Sequence, residues 1–365
     1  MASKKKQDKD EDAPRGRLKA SDEVRLERKI RKLEMVTKRQ KAKYNAVMAM
    51  LNDSERVNEA LVAFEGPVES FRISAKAPEG GSEATAFAIA SDWHVEERVD
   101  PRTVNGLNRY DLELADRRAV QFFQNTKRLI DIMGKDVEIK TLVLALLGDF
   151  ITNDIHEDLV EINQLSPMDA ALKARELLVS GIRFLLDNTK LDLVVPCHSG
   201  NHGRTTKKVH ISTERGHSLE FLMYASLVSQ FRDEPRVKFL LADGYHSYLE
   251  IYGKTIRFHH GHEIRYQGGV GGIYIPVNKA IAQWNKGRWA DLDVFGHFHQ
   301  AKHGGNFISN GSLIGFNAFA LSIKADFEPP KQSFFLWDRK RGQTIYAPIL
   351  FDDKKSEPKK EEPKK

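Results

Sequence analysis

Phe87-Ala88-Ile89-Ala90-Ser91-Asp92-Trp93-His94 is a short apolar run that stops at an aspartate and a histidine. The same pattern recurs four times down the chain. Thr141–Leu147 is followed by Gly148-Asp149, and Leu191–Pro196 leads to Gly200-Asn201-His202. Lys254–His259 leads to His260-Gly261-His262, and Leu292–Phe295 ends in Gly296-His297-Phe298-His299. Each run has the length and β-rich composition of a buried strand, and helical periods near Leu112–Met133 and Asp169–Leu186 lie between them. Strands alternating with helices predict an α/β layered fold. After Val237 the strand-like runs crowd together (Lys238–Leu241, Ser247–Tyr252, Phe307–Asn310, Ser333–Trp337, Thr344–Leu350), which predicts more antiparallel pairing there. Every run delivers oxygen or imidazole donors at or past its C-terminal end, where open α/β sheets build their sites.

These donors point to one chemistry. Hydrolysis of a phosphate ester at neutral pH needs a strong nucleophile and relief of charge on the phosphoryl oxygens, and two cations about 3.5–4 Å apart supply both. Mixed histidine and carboxylate donors suit Mn, Fe or Zn better than Mg or Ca. One carboxylate must bridge such a pair, and Asp149 is placed to do so. Alternate residues of an extended segment face the same way, so Asp92 and His94 are expected to bind together, as are His297 and His299 unless a loop sends the two rings apart.

The ordered series resembles that of the calcineurin-like metallophosphoesterases over about Phe87 to Leu350. That family carries an Asp-x-His, Gly-Asp, Gly-Asn-His, His and Gly-His-x-His set, and Asn310-Gly311-Ser312 resembles a turn that follows it. The resemblance implies a four-layer α/β/β/α sandwich of two mixed sheets. It also implies two divalent metal ions, one held by Asp92, His94, Asp149 and His299 and the other by Asp149, Asn201, His260 and His297. His202 would then be the non-ligand histidine that stabilises the transition state or protonates the leaving oxygen. The family precedent selects His260 over its neighbours His259 and His262.

Some positions depart from the family pattern. Gly203 follows His202 where many relatives have a carboxylate that orients the histidine; Asp154 and Glu157 are the candidates to replace it. Arg204 is placed to clamp a phosphate oxygen. Thr152 stands where purple acid phosphatases carry a tyrosine ligand, and the longer Gly-Asp signature of the protein Ser/Thr phosphatases is absent, which disfavours both branches. Asn105–Tyr110 reads as a polar turn, and Gly268–Gly272, with no lysine-containing helix start behind it, as a rim rather than a nucleotide loop.

The rest of the chain divides by charge. Residues 1–50 hold 16 Lys+Arg against 8 Asp+Glu, whereas 51–351 hold 35 against 38, so the net charge of +6 belongs to an N-terminal arm. A basic arm on a mildly acidic body fits a polyanion, nucleic acid above all. Residues 1–20 read as a disordered basic tip, 21–75 as a helical arm, 86–350 as the catalytic domain and 351–365 as a disordered Lys/Glu/Pro tail. Ala75–Thr85 reads as the linker. In the arm, Leu26, Ile30, Leu33, Thr37, Gln40, Tyr44, Val47 and Leu51 form a heptad seam that offers a surface for self-association, and a second helix is expected through Val57, Leu61 and Phe64. The single cysteine, Cys197, and the lack of an apolar leader predict a cytoplasmic protein with no membrane partner. Three functions are weighed: a phosphodiesterase of nucleic acid, similar to the repair-type exonucleases of this superfamily; a phosphoesterase for small molecules or phosphoproteins; and a binding protein that has lost catalysis. The complete donor set argues against the last.

Overall fold

The computed structural model describes residues 71–76, 82–266 and 272–353, together with most of 27–48. The basic tip, the seam positions Leu26, Val47 and Leu51, the helix expected through Val57, Leu61 and Phe64, the glycines at 268–271 and the tail from 354 onward lie outside the described residues. The chain forms two units, 1–49 and 50–365. In the first, the described residues are helical, and the seam residues Ile30, Leu33 and Tyr44 are exposed.

The described strands of the second unit are β1 Phe71–Ile73, β2 Glu83–Ala90, β3 Glu138–Leu146, β4 Asp192–Cys197, β5 Val237–Leu241, β6 Ser247–Ile251, β7 Lys254–Phe258, β8 Leu292–Phe295, β9 Lys302–His303, β10 Phe307–Ser309, β11 Lys331–Asp338 and β12 Gly342–Leu350. Its helices are α1 Leu112–Met133, α2 Glu157–Ile162, α3 Pro167–Asn188, α4 Leu219–Gln230, α5 Tyr274–Gly287 and α6 Ala318–Ser322. One sheet runs β12-β11-β2-β3-β4-β5 and the other β1-β6-β7-β8-β10-β9. Both are mixed. β2, β3, β4 and β5 are parallel neighbours while β11 and β12 pair antiparallel. In the second half the expected antiparallel character holds for β6–β7, β9–β10 and β11–β12, but β7, β8 and β10 are parallel.

The period of two along each strand builds the layers. On β2, Ala86, Ala88 and Ala90 face α1 and α3, alongside Leu142, Leu144 and Leu146 of β3. The alternate residues Phe87, Ile89, Val143 and Ala145 meet Leu249, Ile256, Phe258 and Val294 of the other sheet. Val277 and Ile281 of α5 cover that second sheet through Phe295 and Phe307. The result is the α/β/β/α sandwich. Alanines on the helix-facing side of β2 let α1 and α3 sit close, and Phe87 stacks on Phe335 of β11 at a centroid distance of 4.3 Å.

The ends differ from their sequence reading. Glu83–Thr85 already belong to β2 rather than to a linker. At the other end Asp353 is ion-paired to Arg118, a wholly buried arginine on α1 that also donates to the carbonyls of Leu313 and Ile314. A buried guanidinium needs every donor satisfied, so the first residues past β12 are fastened to the body. Among the described residues no helix is long and apolar enough to cross a membrane.

Candidate metal centre

The loops after β2, β3, β4, β7 and β8 meet at one end of the sandwich. Two groups of donors converge there: Asp92, His94 and His299, and Asp149, His260 and His297, each with ligand atoms within 4.8 Å of one another. The backbone gets them there by leaving strand geometry. Asp92, His94, Asp149, His297 and His299 all have positive φ, between 48° and 70°. The extended segment expected at Asp92–His94 is therefore absent, and the two side chains converge through left-handed backbone at Asp92 and again at His94. His297 and His299 likewise go to different groups.

Interlocked loops hold this backbone. Asp92 and His94 donate their N–H groups to the carbonyls of Gly148 and Asp149, and His297 donates its N–H to the Asp92 carboxylate at 3.0 Å. Gly200 passes so close to Asp149 that a Cβ on it would lie 2.0 Å from Oδ1, which only glycine permits.

The tautomers follow from the partners. Thr152 Oγ1 donates to Glu97 Oε2 at 3.2 Å, so it accepts from His94 Nδ1 at 3.0 Å. His260 Nδ1 donates to the Leu147 carbonyl at 2.6 Å. In both rings the partner holds a proton on Nδ1 and turns Nε2 to the centre, the atom that a ligand histidine uses. His94 Nε2 lies 3.3 Å from His299 Nε2, His299 Nε2 lies 3.4 Å from Asp92 Oδ1, and His260 Nε2 lies 2.9 Å from Asp149 Oδ2. Asn201 Oδ1 is sealed from solvent and accepts no hydrogen bond. Electron-pair donors crowded together with unspent capacity are a donor set that fits divalent cations.

Electrostatics agree with that fit. Burial works against charge on His260, but the Asp149 and Asp92 carboxylates outweigh it and lift the ring to about 10. Burial also opposes charge on Asp149, yet the surrounding histidines, His260 first, hold it well below the usual carboxylate range. Burial and the neighbouring rings push His94 well down, and His297 down to about 3. Asp149 and His260 thus stabilise each other's charge, and a cation bound here would take the place of the His260 proton.

His202 stands beside this centre, its ring edge-on to His94 at 4.9 Å. Its backbone N–H donates to Asp149 Oδ1 at 2.8 Å, and its Nδ1 donates to the Thr152 carbonyl at 2.8 Å. That carbonyl orients the ring. Asp154 and Glu157 do not; both are exposed, and Asp154 takes a hydrogen bond from Asn163. The departure at Gly203 has a different explanation. Glu220, at the start of α4, accepts from the N–H groups of Phe150 and Gly200, and a Cβ on Gly203 would lie 2.8 Å from its Cγ. A buried carboxylate from α4 fills the space where a side chain at 203 would sit.

Arg204 donates Nη1 to the Asn201 carbonyl, and its Nε is buried with no partner. Lys207, Lys208 and Arg265 are exposed. His259 faces away from the centre, stacked on Phe295 with Nε2 3.4 Å from Asp293. Asn108 donates to the carbonyls of Ile314 and Phe316, so the Asn105–Tyr110 turn is structural.

No protein-family model matches the sequence, and no relative is found among curated proteins. Solved structures do resemble it. A dimetal phosphatase from Danio rerio aligns with 73% of this chain and 99% of its own, at 10% identity and a TM-score of 0.34. A hypothetical protein from Pyrococcus horikoshii aligns over 74% and 89%, at 10% identity and a TM-score of 0.37. Vps29 of Chaetomium thermophilum aligns over 72% and 94%, at 10% identity and a TM-score of 0.24.

Several residues of the site carry no local signal in the sequence. Ser91 Oγ donates to Asp92 Oδ2 and accepts from Asn310 Nδ2. Glu96 accepts the N–H groups of Thr152 and Asn153, and Glu97 accepts from Thr152 and Asn317. Most of these contacts join residues 50 to 220 positions apart. The Asn-Gly-Ser turn was the one visible clue, and it marks Asn310.

Proposed function

We propose that this chain is a dinuclear-metal phosphoesterase and that its substrate is a nucleic-acid phosphodiester. The observation that carries the first part is the pairing of two three-residue donor groups at one strand-end cluster, with the ring protons of His94 and His260 fixed on the outward nitrogen. Asp92, His94 and His299 would hold one cation and Asp149, His260, His297 and Asn201 the other, with Asp149 shared between them. When bound, such a pair supplies positive charge for the phosphoryl oxygens and an activated water. Manganese suits this nitrogen and oxygen set, as do iron and zinc.

The protein's own groups do the rest. His202 is anchored through Nδ1 to the Thr152 carbonyl, so Nε2 is its working atom, and in the imidazolium form it carries the proton that a departing ester oxygen needs. Its backbone N–H on Asp149 keeps that carboxylate aimed at His260. Arg204, tethered by one nitrogen to Asn201, adds positive charge at the rim. The nucleic-acid assignment draws on the net +8 of residues 1–50 and on the exposed Lys207 and Lys208 in the loop after His202.

The test is cleavage of end-labelled single- and double-stranded DNA and RNA with Mn²⁺, beside Asp149→Asn and His202→Ala. Metal-dependent cutting lost in both variants is the expected result. Hydrolysis of a generic aryl phosphate without any cutting of nucleic acid would keep the metal centre and reject the substrate. Full activity in Asp149→Asn would reject the centre.

A further inference from the structure

The chain that follows the last donor exposes large apolar side chains beside the metal centre. Phe319 is 48% exposed, Leu321 41%, Ile323 37% and Phe327 51%, all within nine residues. The Phe319 ring stands edge-on to His299 with centroids 6.2 Å apart, and Phe327 packs on Phe316 at 5.8 Å. Large apolar side chains exposed beside a reaction centre are candidates for contact with a substrate.

This surface is held in register with the donors. Asn317, itself buried, caps α6 by accepting the Ala320 N–H, and it donates Nδ2 to Glu97 Oε1 at 3.0 Å. The other oxygen of Glu97 takes the Thr152 hydroxyl, which in turn accepts from His94. A continuous buried chain of hydrogen bonds thus runs from a candidate ligand to the short helix that carries Phe319. A side chain left in water gains nothing from such support. A side chain that must meet a substrate at a fixed distance from the reacting phosphate does.

We propose that Phe319 is a specificity-determining residue that seats a nucleobase of the ester arm flanking the scissile phosphate, so that the enzyme takes unstacked, single-stranded substrate at this position. The inference rests on the nucleic-acid reading of the site. A flat aromatic ring is the platform that single-strand binders pair with cations, because every base has a π-face. Lys324, exposed and in a left-handed backbone conformation, adjoins the shelf, and Lys207 and Lys208 are exposed on the loop after His202. Leu321 and Ile323 add aliphatic surface, so an alkyl arm is the competing occupant.

Three phosphodiesters with the same p-nitrophenol leaving group separate these cases, one with a methyl arm, one with a thymidine 5′ arm and one with a hexadecyl arm. Phe319→Ala should lower kcat/KM on the thymidine diester about tenfold, within the range for loss of one base stack, and leave the methyl diester within about twofold. Phe319→Trp should restore it. Equal loss on all three, no loss on the thymidine diester, or loss confined to the hexadecyl diester overturns the proposal. A second readout needs no turnover. In the Asp149→Asn background, Phe319→Ala should weaken binding of a fluorescent oligothymidylate, and unchanged anisotropy also overturns it. Failure of the unmodified protein to hydrolyse any of the three rejects the phosphoesterase reading instead, and the anisotropy result still decides the shelf.

Discussion

Replacing Thr152 by valine keeps the shape of a fully buried side chain and deletes one hydroxyl. That hydroxyl does two things. It accepts the Nδ1 proton of His94 at 3.0 Å and donates to Glu97 Oε2 at 3.2 Å. Without it, His94 loses the partner that fixes its tautomer and ring angle. The remaining acceptor nearby, Glu97 Oε2, lies 4.0 Å from Nδ1. Losing such an outer partner weakens metal binding about 10- to 100-fold, or about 1.4–2.8 kcal/mol. Glu97 keeps Asn317 on its other oxygen, so the fold loses about 1–3 kcal/mol for one deprived buried acceptor. The effect should be confined to one side. His260 is oriented by the Leu147 carbonyl and His202 by the Thr152 carbonyl, and neither changes. Titration with Mn²⁺, followed through the electron paramagnetic resonance of the free ion, should give two tight sites in the unmodified chain. In Thr152→Val one should keep its affinity and the other weaken by one to two decades. Equal weakening of both sites, or none, would refute the division of the donors into two separately supported groups.

Other outcomes follow from the same geometry. Gly203→Ala places a methyl 2.8 Å from Glu220 Cγ, and that side chain is pinned by two backbone N–H groups. Overpacking of this kind costs roughly 1–3 kcal/mol, so urea denaturation should show a lower midpoint at unchanged slope, and an unshifted midpoint contradicts the packing. Burial holds Glu96 up to about 8 against an ordinary value of 4.5. The folded, metal-free chain therefore retains a proton that the unfolded chain releases, and stability should fall as pH rises from 4.5 to about 8. Glu96→Gln copies the protonated acid and should flatten that part of the melting profile; parallel profiles would disprove it. In the metal-free chain His260 is lifted to about 10, so binding must expel its proton. Metal affinity should rise about tenfold per pH unit through neutrality, and an affinity independent of pH would remove His260 from the ligand set.

What the sequence disclosed was whatever depends on local pattern. β8 and α1 carry the bounds that their periodicities predict, and β3, β4 and β7 fall within a few residues of theirs. The donors of both groups stand at four of the five strand ends, and Asn201 lies past the fifth. Three kinds of feature stayed hidden. α4 and α5 have weak signals: Leu219–Gln230 is apolar nearly all round, and Tyr274–Gly287 lies just past a glycine-rich stretch. The loop conformation was misread, because alternation in a strand says nothing once the backbone turns left-handed at Asp92 and His94. The supports of the site, Glu97, Glu220 and Asn317, are joined by long-range contacts between residues that look like ordinary caps and surface acids in isolation.

The left-handed donors carry a backbone cost. Among the described residues nine non-glycine positions have positive φ, and five of them are candidate metal donors. Aspartate and histidine are among the residues that tolerate this region best, yet strained backbone of this sort still costs about 1–3 kcal/mol per residue when the surroundings must enforce it. Regular strand geometry would send residues two apart to the same face, but Asp92 and His94 have left that geometry, so their side chains meet at the centre only because the neighbouring loops hold the bent backbone. The bend is enforced from outside: Asp92 N–H is held by Gly148, His94 N–H by Asp149, and the Asp92 carboxylate holds His297 N–H. Each loop is thus locked by the donor-bearing residue of another. Removal of one donor should therefore disturb backbone as well as coordination, so a substitution such as Asp92→Ala is a poor probe of metal binding by itself. A substitution that spares the backbone partners, as Thr152→Val does, separates the two effects.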